Sequence, residues 1–297
     1  MTVTPAAILY ALLGIAALSA MDAAVKIVAL EETVLAATWL RYVFGGLILL
    51  PLLFTLRRPL PGAEGLRSHA LRGLLLTFTS LTFFYGISIL PLAEAITLAF
   101  VAPLLAPPLA ALLIGEPMRG RAVLAAIIGF AGVLVTVQGG PADAASQGGA
   151  YGWAVAAILA SALLYALQAL ILRHRAQRDD ALAVAGLAMV VPLLLLTPAA
   201  LVLAPLPGAS TLGAAALSGL LGAIGVLSLA RAYAQAEAQV MMIFEYTGLF
   251  WAALLGWFLF AEMPRPQVLV GAAIIAGACL LVTRGKRRPA PAKQSAF

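Results

Sequence analysis

The stretch LLIGEPMRGRAVLAAIIGFAGVLVT (residues 112–136) returns near the end of the chain as FLFAEMPRPQVLVGAAIIAGACLLVT (residues 258–283). Each copy places a glutamate at the end of an apolar run, an arginine three residues later, and then a small-residue run that ends in Val-Thr. Upstream of the two copies, LPLAEAITL and YAQAEAQVM also share an Ala-Glu-Ala step. This recurrence predicts two related halves. The matched residues are Glu116 with Glu262 and Arg119 with Arg265.

The composition places the chain in a membrane. It is 63% hydrophobic and only 10% charged, with a mean hydropathy of +1.06, whereas soluble domains are about one quarter charged. A spanning helix needs roughly 20 apolar residues, and much of the chain divides into runs of that length. A single cysteine, Cys279, excludes a disulfide framework or a thiolate metal cluster. The apolar N-terminus lacks a basic leader, so we expect a retained first helix rather than a signal peptide.

Ten candidate spans follow from apolar runs broken by charge, proline or glycine: 5–30, 33–55, 71–90, 92–115, 120–139, 150–172, 181–203, 211–232, 238–261 and 266–284. Five spans per half is an odd number, so the second half must be inserted upside down relative to the first. We therefore expect an all-α membrane protein with ten transmembrane helices in two inverted five-helix repeats. The expected divisions are a first repeat at 1–139, a linker at 140–149, a second repeat at 150–284 and a basic tail at 285–297.

Basic residues predict the orientation. The net charge of +6 would suggest nucleic acid in a soluble chain, but here it falls in short loops and the tail, so no nucleic-acid partner is expected. With an internal N-terminus, the external loops hold only Arg265. Both termini are therefore expected in the cytoplasm. The internal segments hold Arg57, Arg58, Arg67, Arg72, Arg119, Arg121, Arg173, Arg175, Arg178 and Arg231, and the tail adds Arg284, Lys286, Arg287, Arg288 and Lys293.

On these features the chain resembles the drug/metabolite transporter superfamily, within its EamA-type branch. MDAAVK, LRYVFGGLILLP, LRGLL and IFEYTGLFWAALLGWFLFAE are similar to bacterial members that move amino acids, S-adenosylmethionine or riboflavin. The resemblance implies a secondary transporter in the inner membrane that works by alternating access. It implies amino acids or related metabolites as cargo, with export favoured slightly over uptake. Import of riboflavin or S-adenosylmethionine is the alternative, and a non-transporting membrane scaffold is another.

Among the ionisable side chains within the predicted spans, four are singled out as site candidates: Asp22, Lys26, Arg41 and Glu245. Charge inside a bilayer is costly and usually faces a water-filled cavity or a partner. We expect Asp22 to pair mainly with Arg41 and Lys26 to lie nearer the outer mouth. The triad either locks helices 1 and 2 together or contacts an anionic substrate group. Glu245 is a candidate for binding a cationic group or a coupling proton, or else forms a structural pair with Arg231.

Aromatic and amide groups form a second set of candidates, because hydroxyls and rings inside spans suit amino acids or flat heterocycles. Packing or an interfacial belt is the alternative for each. Glu116 and Glu262 are expected to organise helix ends. Prolines are expected to interrupt the fourth helix at Pro103, Pro107 and Pro108. The second set comprises Trp39, Tyr85, Tyr165, Gln168 and Tyr246.

Catalytic patterns are lacking in the sequence. It has no HExxH zinc motif, no glycine-rich phosphate loop and no CxxC pair. We therefore expect no enzyme activity, no cofactor and no ATP hydrolysis within this chain. Its partners are the lipid bilayer, a small-molecule substrate and, as a candidate, coupling protons. The oligomeric state is not predicted.

Overall fold

A computed structural model of the chain describes residues 5–114, 120–138, 149–204, 207–235, 245 and 247–283. The elements of these residues are all α-helices. The predicted tail and nearly all of the predicted linker lie outside the described residues. The helices are α1 (Pro5–Glu31), α2 (Val34–Thr55), α3 (Ala63–Ile89), α4 (Leu92–Ala99), α5 (Ala102–Ile114), α6 (Gly120–Val137), α7 (Ala150–Arg175), α8 (Ala181–Leu203), α9 (Ala209–Gln235), α10 (Thr247–Phe260) and α11 (Pro266–Thr283).

Six of these helices are long and apolar enough to cross a membrane, namely α1, α2, α3, α7, α8 and α9. Shorter apolar helices account for the remaining spans. The connections are tight: Thr33 caps α2 by accepting a hydrogen bond from the Ala36 backbone, and Asp180 caps α8 in the same way from Leu182. The same capping device therefore opens the second helix of each half.

Two predicted spans differ from the structure. The third helix begins at Ala63 rather than at residue 71, which moves Arg72 from the edge of the predicted span to the interior of the helix. The fourth span is broken at Phe100–Val101, between α4 and α5. The break lies ahead of the prolines, because Pro103 occupies the first turn of α5, where its missing N–H removes no helical hydrogen bond.

Helix packing repeats between the halves with an offset of five spans. The pair α1 with α9 has its counterpart in α3 with α7, and the pair α2 with α9 in α3 with α8. The pairs α2 with α8 and α6 with α11 are their own counterparts. This pattern is that of a two-fold relation between two five-span units. Since successive spans run in opposite directions, matched helices are antiparallel.

Small residues permit the close approach of α6 and α11. A Cβ atom added at Gly132 would lie 3.0 Å from the carbonyl oxygen of Gly271, and one added at Gly271 would lie 2.8 Å from that of Gly132. Such backbone contact is typical of small-residue interfaces between membrane helices. The pair supports the bundle at one edge and leaves the central space to the other helices.

Candidate binding cavity and its closure

A cavity of about 250 Å³ lies between the two halves. We call the end of the bundle where α1 begins the near side, and the end that holds the α1–α2 and α10–α11 connections the far side. The walls come from α1 to α5 of the first half and from α7, α9 and the α10 region of the second half. Rings of Phe83, Phe84 and Phe100 form part of the apolar lining. The polar lining residues are Ser19, Asp22, Arg41, Arg72, Thr79, Ser80, Ser161, Tyr165, Gln168 and Glu245.

Asp22 and Arg41 face the cavity at one level without pairing. Arg41 directs Nε to the Met21 sulfur at 2.7 Å and Nη1 to the Ser80 hydroxyl at 3.5 Å. The Asp22 carboxylate has no hydrogen bond or salt bridge to any described residue, although both side chains are buried. The expected Asp22–Arg41 ion pair is therefore wrong for the described part of the chain. Two opposite buried charges are left facing the same space.

A second charged level lies towards the near side. Arg72 is buried and donates from Nε to the Gln168 side chain at 3.2 Å and from Nη1 to the Val184 carbonyl at 3.1 Å. Both partners are neutral, so no described carboxylate balances this guanidinium directly. Ser80 and Arg72 are eight residues apart on α3, so the two levels are separated by about 12 Å at 1.5 Å per residue.

Glu245 completes the second level. It accepts hydrogen bonds from the Tyr233 hydroxyl at 2.7 Å and from the Tyr165 hydroxyl at 3.4 Å. The expected alternative partner, Arg231, instead lies over the Tyr10 ring, 5.7 Å from its centroid. A carboxylate held by two phenols and facing a cavity is placed to meet a cationic group or to exchange a proton.

The far side is closed by a charged contact between the halves. The Lys26 ammonium forms a salt bridge with Glu262 at 2.5 Å and donates to the Leu90 carbonyl at 2.8 Å. The other Glu262 oxygen accepts from the Leu92 backbone N–H at 2.8 Å. Lys26 is almost fully buried and lies 5.0 Å from the centre of the Phe260 ring. We call Lys26 and Glu262, with the Leu90–Leu92 backbone between α3 and α4, the far-side latch.

A second ion pair runs beside the far-side latch. Glu94 is buried and accepts from Arg265 at 2.6 Å and from the Tyr151 hydroxyl at 2.6 Å. Burial alone would lower the pKa of Arg265, but the hydrogen bond and charge of Glu94 outweigh it and raise that pKa. This contact again joins the first half to the second, so two ionic links connect the halves at the far side.

The near side carries a different cluster. Asp179, in the turn after α7, bonds to Arg175 Nε at 2.8 Å and to His69 Nε2 on α3 at 2.9 Å. Burial by itself would raise the pKa of Asp179, yet the hydrogen bonds from His69 and Arg175 reverse the effect and lower that pKa. This cluster connects α3 to the turn after α7. The helices α3 and α7 themselves also pack against each other.

The structure places some of the expected site residues on the cavity wall and others away from it. Asp22, Arg41, Tyr165, Gln168 and Glu245 line the cavity. Three others do not: Lys26 belongs to the far-side latch, Trp39 donates from its indole nitrogen to Thr197 at 3.0 Å, and Tyr85 is 37% exposed on α3. Tyr246 and Glu116 lie outside the described residues.

Sequence reasoning missed Arg72, Tyr233 and the partnership of Glu94 with Arg265. Arg72 was counted with the cytoplasmic basic residues because the start of α3 was placed at residue 71, immediately before it. An acidic residue in the first turn, Glu64, follows the Pro-Gly step at residues 61–62, and it was the available signal for the earlier start.

Comparison with known proteins identifies the architecture. The model of the EamA-like transporter family matches residues 5–138 and again residues 152–284. The chain belongs to that family. As an EamA-type member of the drug/metabolite transporter superfamily, it is an all-α membrane protein and a transporter of small molecules, not an enzyme.

Three relatives of this EamA-type transporter differ in what their names say they move. An S-adenosylmethionine uptake transporter of Rickettsia felis is 24% identical over 93% of this chain and 92% of its own length. A riboflavin transporter of Rhizobium johnstonii is 29% identical over 68% of this chain and 65% of its own. The pseudopaline exporter CntI of Pseudomonas aeruginosa is 26% identical over 75% of this chain and 77% of its own.

A solved crystal structure of similar fold covers 92% of this EamA-type transporter and 96% of its own chain. Its TM-score is 0.61 at 22% sequence identity. At this identity the likeness supports the shared fold and nothing further.

Proposed function

We propose that this protein is a secondary transporter of amino acids and amino-acid-bearing metabolites, and that the cavity between its halves is the substrate site. The observation that carries the proposal is the set of opposite charges that face this cavity without pairing: Asp22 and Arg41 at one level, Glu245 and Arg72 at the other. Intramembrane charge of this kind marks a substrate or ion pathway more often than a structural contact. A non-transporting scaffold would gain nothing from keeping such groups on a cavity wall.

Alternating access is proposed as the mechanism. Two ionic links close the far side, while helix packing relates the two halves by an offset of five spans. Rocking of the halves would break the links at Lys26 and Glu94 and open the cavity to the far side. Breaking each link exposes buried charge, so the transition needs compensation from substrate or water.

We place the near side in the cytoplasm and the protein in the plasma membrane. The placement is supported by the arginines of the near-side connections, such as Arg57, Arg58 and Arg178, against Arg265 alone among the far-side loop positions. Net export is favoured slightly over uptake. The proton is the candidate coupling ion, with Glu245 as its site, because this carboxylate faces the cavity between two phenolic hydroxyls.

Uptake of S-adenosylmethionine is the second candidate function. Three Rickettsia proteins named for this activity match 85 to 93% of the chain. That ligand carries an amino-acid group and an aromatic base, and the cavity offers both opposite charges and phenylalanine rings.

Counterflow in proteoliposomes tests both candidates. Vesicles loaded with one unlabelled metabolite are diluted into its labelled form, and transient accumulation reports carrier-mediated exchange. The panel contains the twenty amino acids, S-adenosylmethionine and riboflavin. We expect exchange of at least one amino acid or of S-adenosylmethionine. Exchange of riboflavin alone would overturn the substrate class, and exchange of none in sealed vesicles holding folded protein would overturn the function.

A further inference from the structure

We propose that the cavity holds its substrate by an α-amino-acid group that bridges Asp22 and Arg41, with the ammonium on Asp22 and the carboxylate on Arg41. The rest of the ligand would extend towards Arg72, Gln168 and Glu245. This inference rests on the proposed function and names the residues and the chemistry by which that function selects a substrate.

The first argument is the state of the two charges. Both side chains are buried and line the cavity, and Arg41 is near enough to act on Asp22 electrostatically, yet no hydrogen bond joins them. Lys26, the basic residue of α1, lies one turn away but is already bound to Glu262. Asp22 therefore has no described cation in contact, and a buried charge without a partner is costly. A ligand between the two groups satisfies both.

The second argument is the way in which Arg41 is held. Its guanidinium lies 4.6 Å from the centre of the Tyr42 ring and 5.5 Å from that of Phe84. These rings fix the guanidinium without neutralising it. Its hydrogen bonds to described residues go to a thioether and a hydroxyl, and Nη2 makes none to them. A positioned guanidinium with free donors is suited to a carboxylate.

The third argument is charge selection. A ligand with a carboxylate alone would satisfy Arg41 but place a like charge near Asp22. A ligand with an amine alone would satisfy Asp22 and leave Arg41 without an anion. A group that carries an ammonium and a carboxylate on the same carbon, as an α-amino acid does, meets both residues.

The residues of the second charged level constrain the length and polarity of the ligand side chain. Arg72 and Gln168 lie about 12 Å from the Ser80 level along α3, and Leu76 and Thr79 line the wall between. The ligand side chain should therefore be several bonds long and largely apolar in its middle. The distal end of this side chain should be polar or basic, because the Glu245 carboxylate, which already accepts from Tyr165, supplies an acceptor there. The cavity of about 250 Å³ limits its size.

The test uses matched probes that differ in one charge. L-phenylalanine, L-methionine and L-arginine are each compared with their methyl ester, which lacks the carboxylate charge, and their N-acetyl form, which lacks the ammonium. Binding is measured on the purified full-length protein by calorimetry or ligand-induced thermal stabilisation. We expect at least one amino acid to bind about tenfold or more tightly than both derivatives, since each derivative loses a charge-assisted hydrogen bond. The absence of such a preference for all three amino acids would refute the proposal.

Two variants assign the ends of the group. In Asp22→Asn, the preference over the N-acetyl form should fall to within about twofold while the preference over the ester persists; Arg41→Gln should do the opposite. Tyr85→Phe, on α3 but outside the cavity lining, is the control and should keep both preferences. Equal weakening of all probes in both variants would contradict the assignment, and the parent panel decides the matter if a variant fails to fold. Counterflow without charge preference would refute this inference alone, whereas absence of all counterflow would refute the proposed function.

Discussion

Replacing Glu262 with glutamine removes the charge that neutralises Lys26 at the far side of the bundle. The substitution keeps the shape of the side chain and an oxygen that accepts from the Leu92 backbone. What is lost is the anion 2.5 Å from the Lys26 ammonium. Lys26 then keeps the Leu90 carbonyl and the Phe260 ring, neither of which carries a charge.

The free-energy cost of Glu262→Gln depends on how deeply the ion pair is buried. Removing one partner of a fully buried ion pair costs about 3 to 5 kcal/mol. The Lys26 side chain is 4% exposed but that of Glu262 is 21% exposed, so water at the carboxylate end reduces the cost. We expect about 2 to 3 kcal/mol against the far-side-closed state. If the open state already separates the pair, that loss shifts the closed-to-open ratio by roughly 30- to 150-fold.

The assay reports opening directly. In a Cys279→Ser background, Ser161→Cys places a thiol on the cavity wall, and a membrane-impermeant maleimide is added to intact cells. With the far side outside the cell, labelling should be slow in the parent and at least about tenfold faster in Glu262→Gln, given the expected population shift. Thermal unfolding in detergent, which does not depend on sidedness, should show a lower midpoint.

Two controls separate the latch from general damage. Glu32 is a partly exposed far-side carboxylate that accepts from the Gly208 backbone and the Thr211 hydroxyl. Since Glu32→Gln unpairs no buried cation, it should leave labelling within about twofold of the parent. The double variant Lys26→Met with Glu262→Gln should be more stable than Glu262→Gln alone, because no ammonium is left unpaired. Unchanged labelling and stability in Glu262→Gln would refute the latch.

Three further outcomes are expected. Glu245→Gln should reduce counterflow about tenfold or more with normal membrane insertion, because the group held by Tyr165 and Tyr233 no longer carries charge; normal exchange with the parent's pH profile would remove Glu245 from the mechanism. Asp179→Asn should lower stability by about 2 kcal/mol near neutral pH through its lost charged hydrogen bonds. Because the pKa of Asp179 is lowered by folding, this difference should vanish as pH falls below the ordinary aspartate value of about 3.9 and on through the folded value; a difference in unfolding midpoint that stays constant with pH would contradict the assignment. A reporter fused after Phe297 that is active only in the cytoplasm should give signal, and a signal from an exported reporter would reverse the proposed orientation.

The sequence predicted the spans and the repeat well, because a membrane helix is defined by length and apolarity, which are local properties. It placed Asp22 and Glu245 inside spans for the same reason. The interaction partners of these charged side chains were harder to predict. Lys26 was grouped with Asp22 by its four-residue spacing, yet its partner, Glu262, lies 236 residues away in the chain. Such pairing depends on how the halves meet.

The start of α3 shows a second limit. A single arginine near a span boundary fits a loop and a helix equally well by composition. Arg72 stood at the edge of the predicted span, but it lies well inside the helix because α3 begins at Ala63, eight residues earlier than expected. Its neutral partners, the Gln168 amide and the Val184 carbonyl, come from other helices and leave no pattern in the sequence around Arg72.

The separation of Lys26 from Glu262 also sets an order of events during synthesis. At about 5 to 20 residues per second, Glu262 is made roughly 12 to 47 s after Lys26. During that interval the first helix holds an ammonium without its anion. Lys26 lies five residues before the last residue of α1, close enough for its long side chain to reach the headgroups and stay hydrated. The far-side latch therefore cannot form before the chain has been made as far as Glu262, and until then the interface keeps Lys26 hydrated.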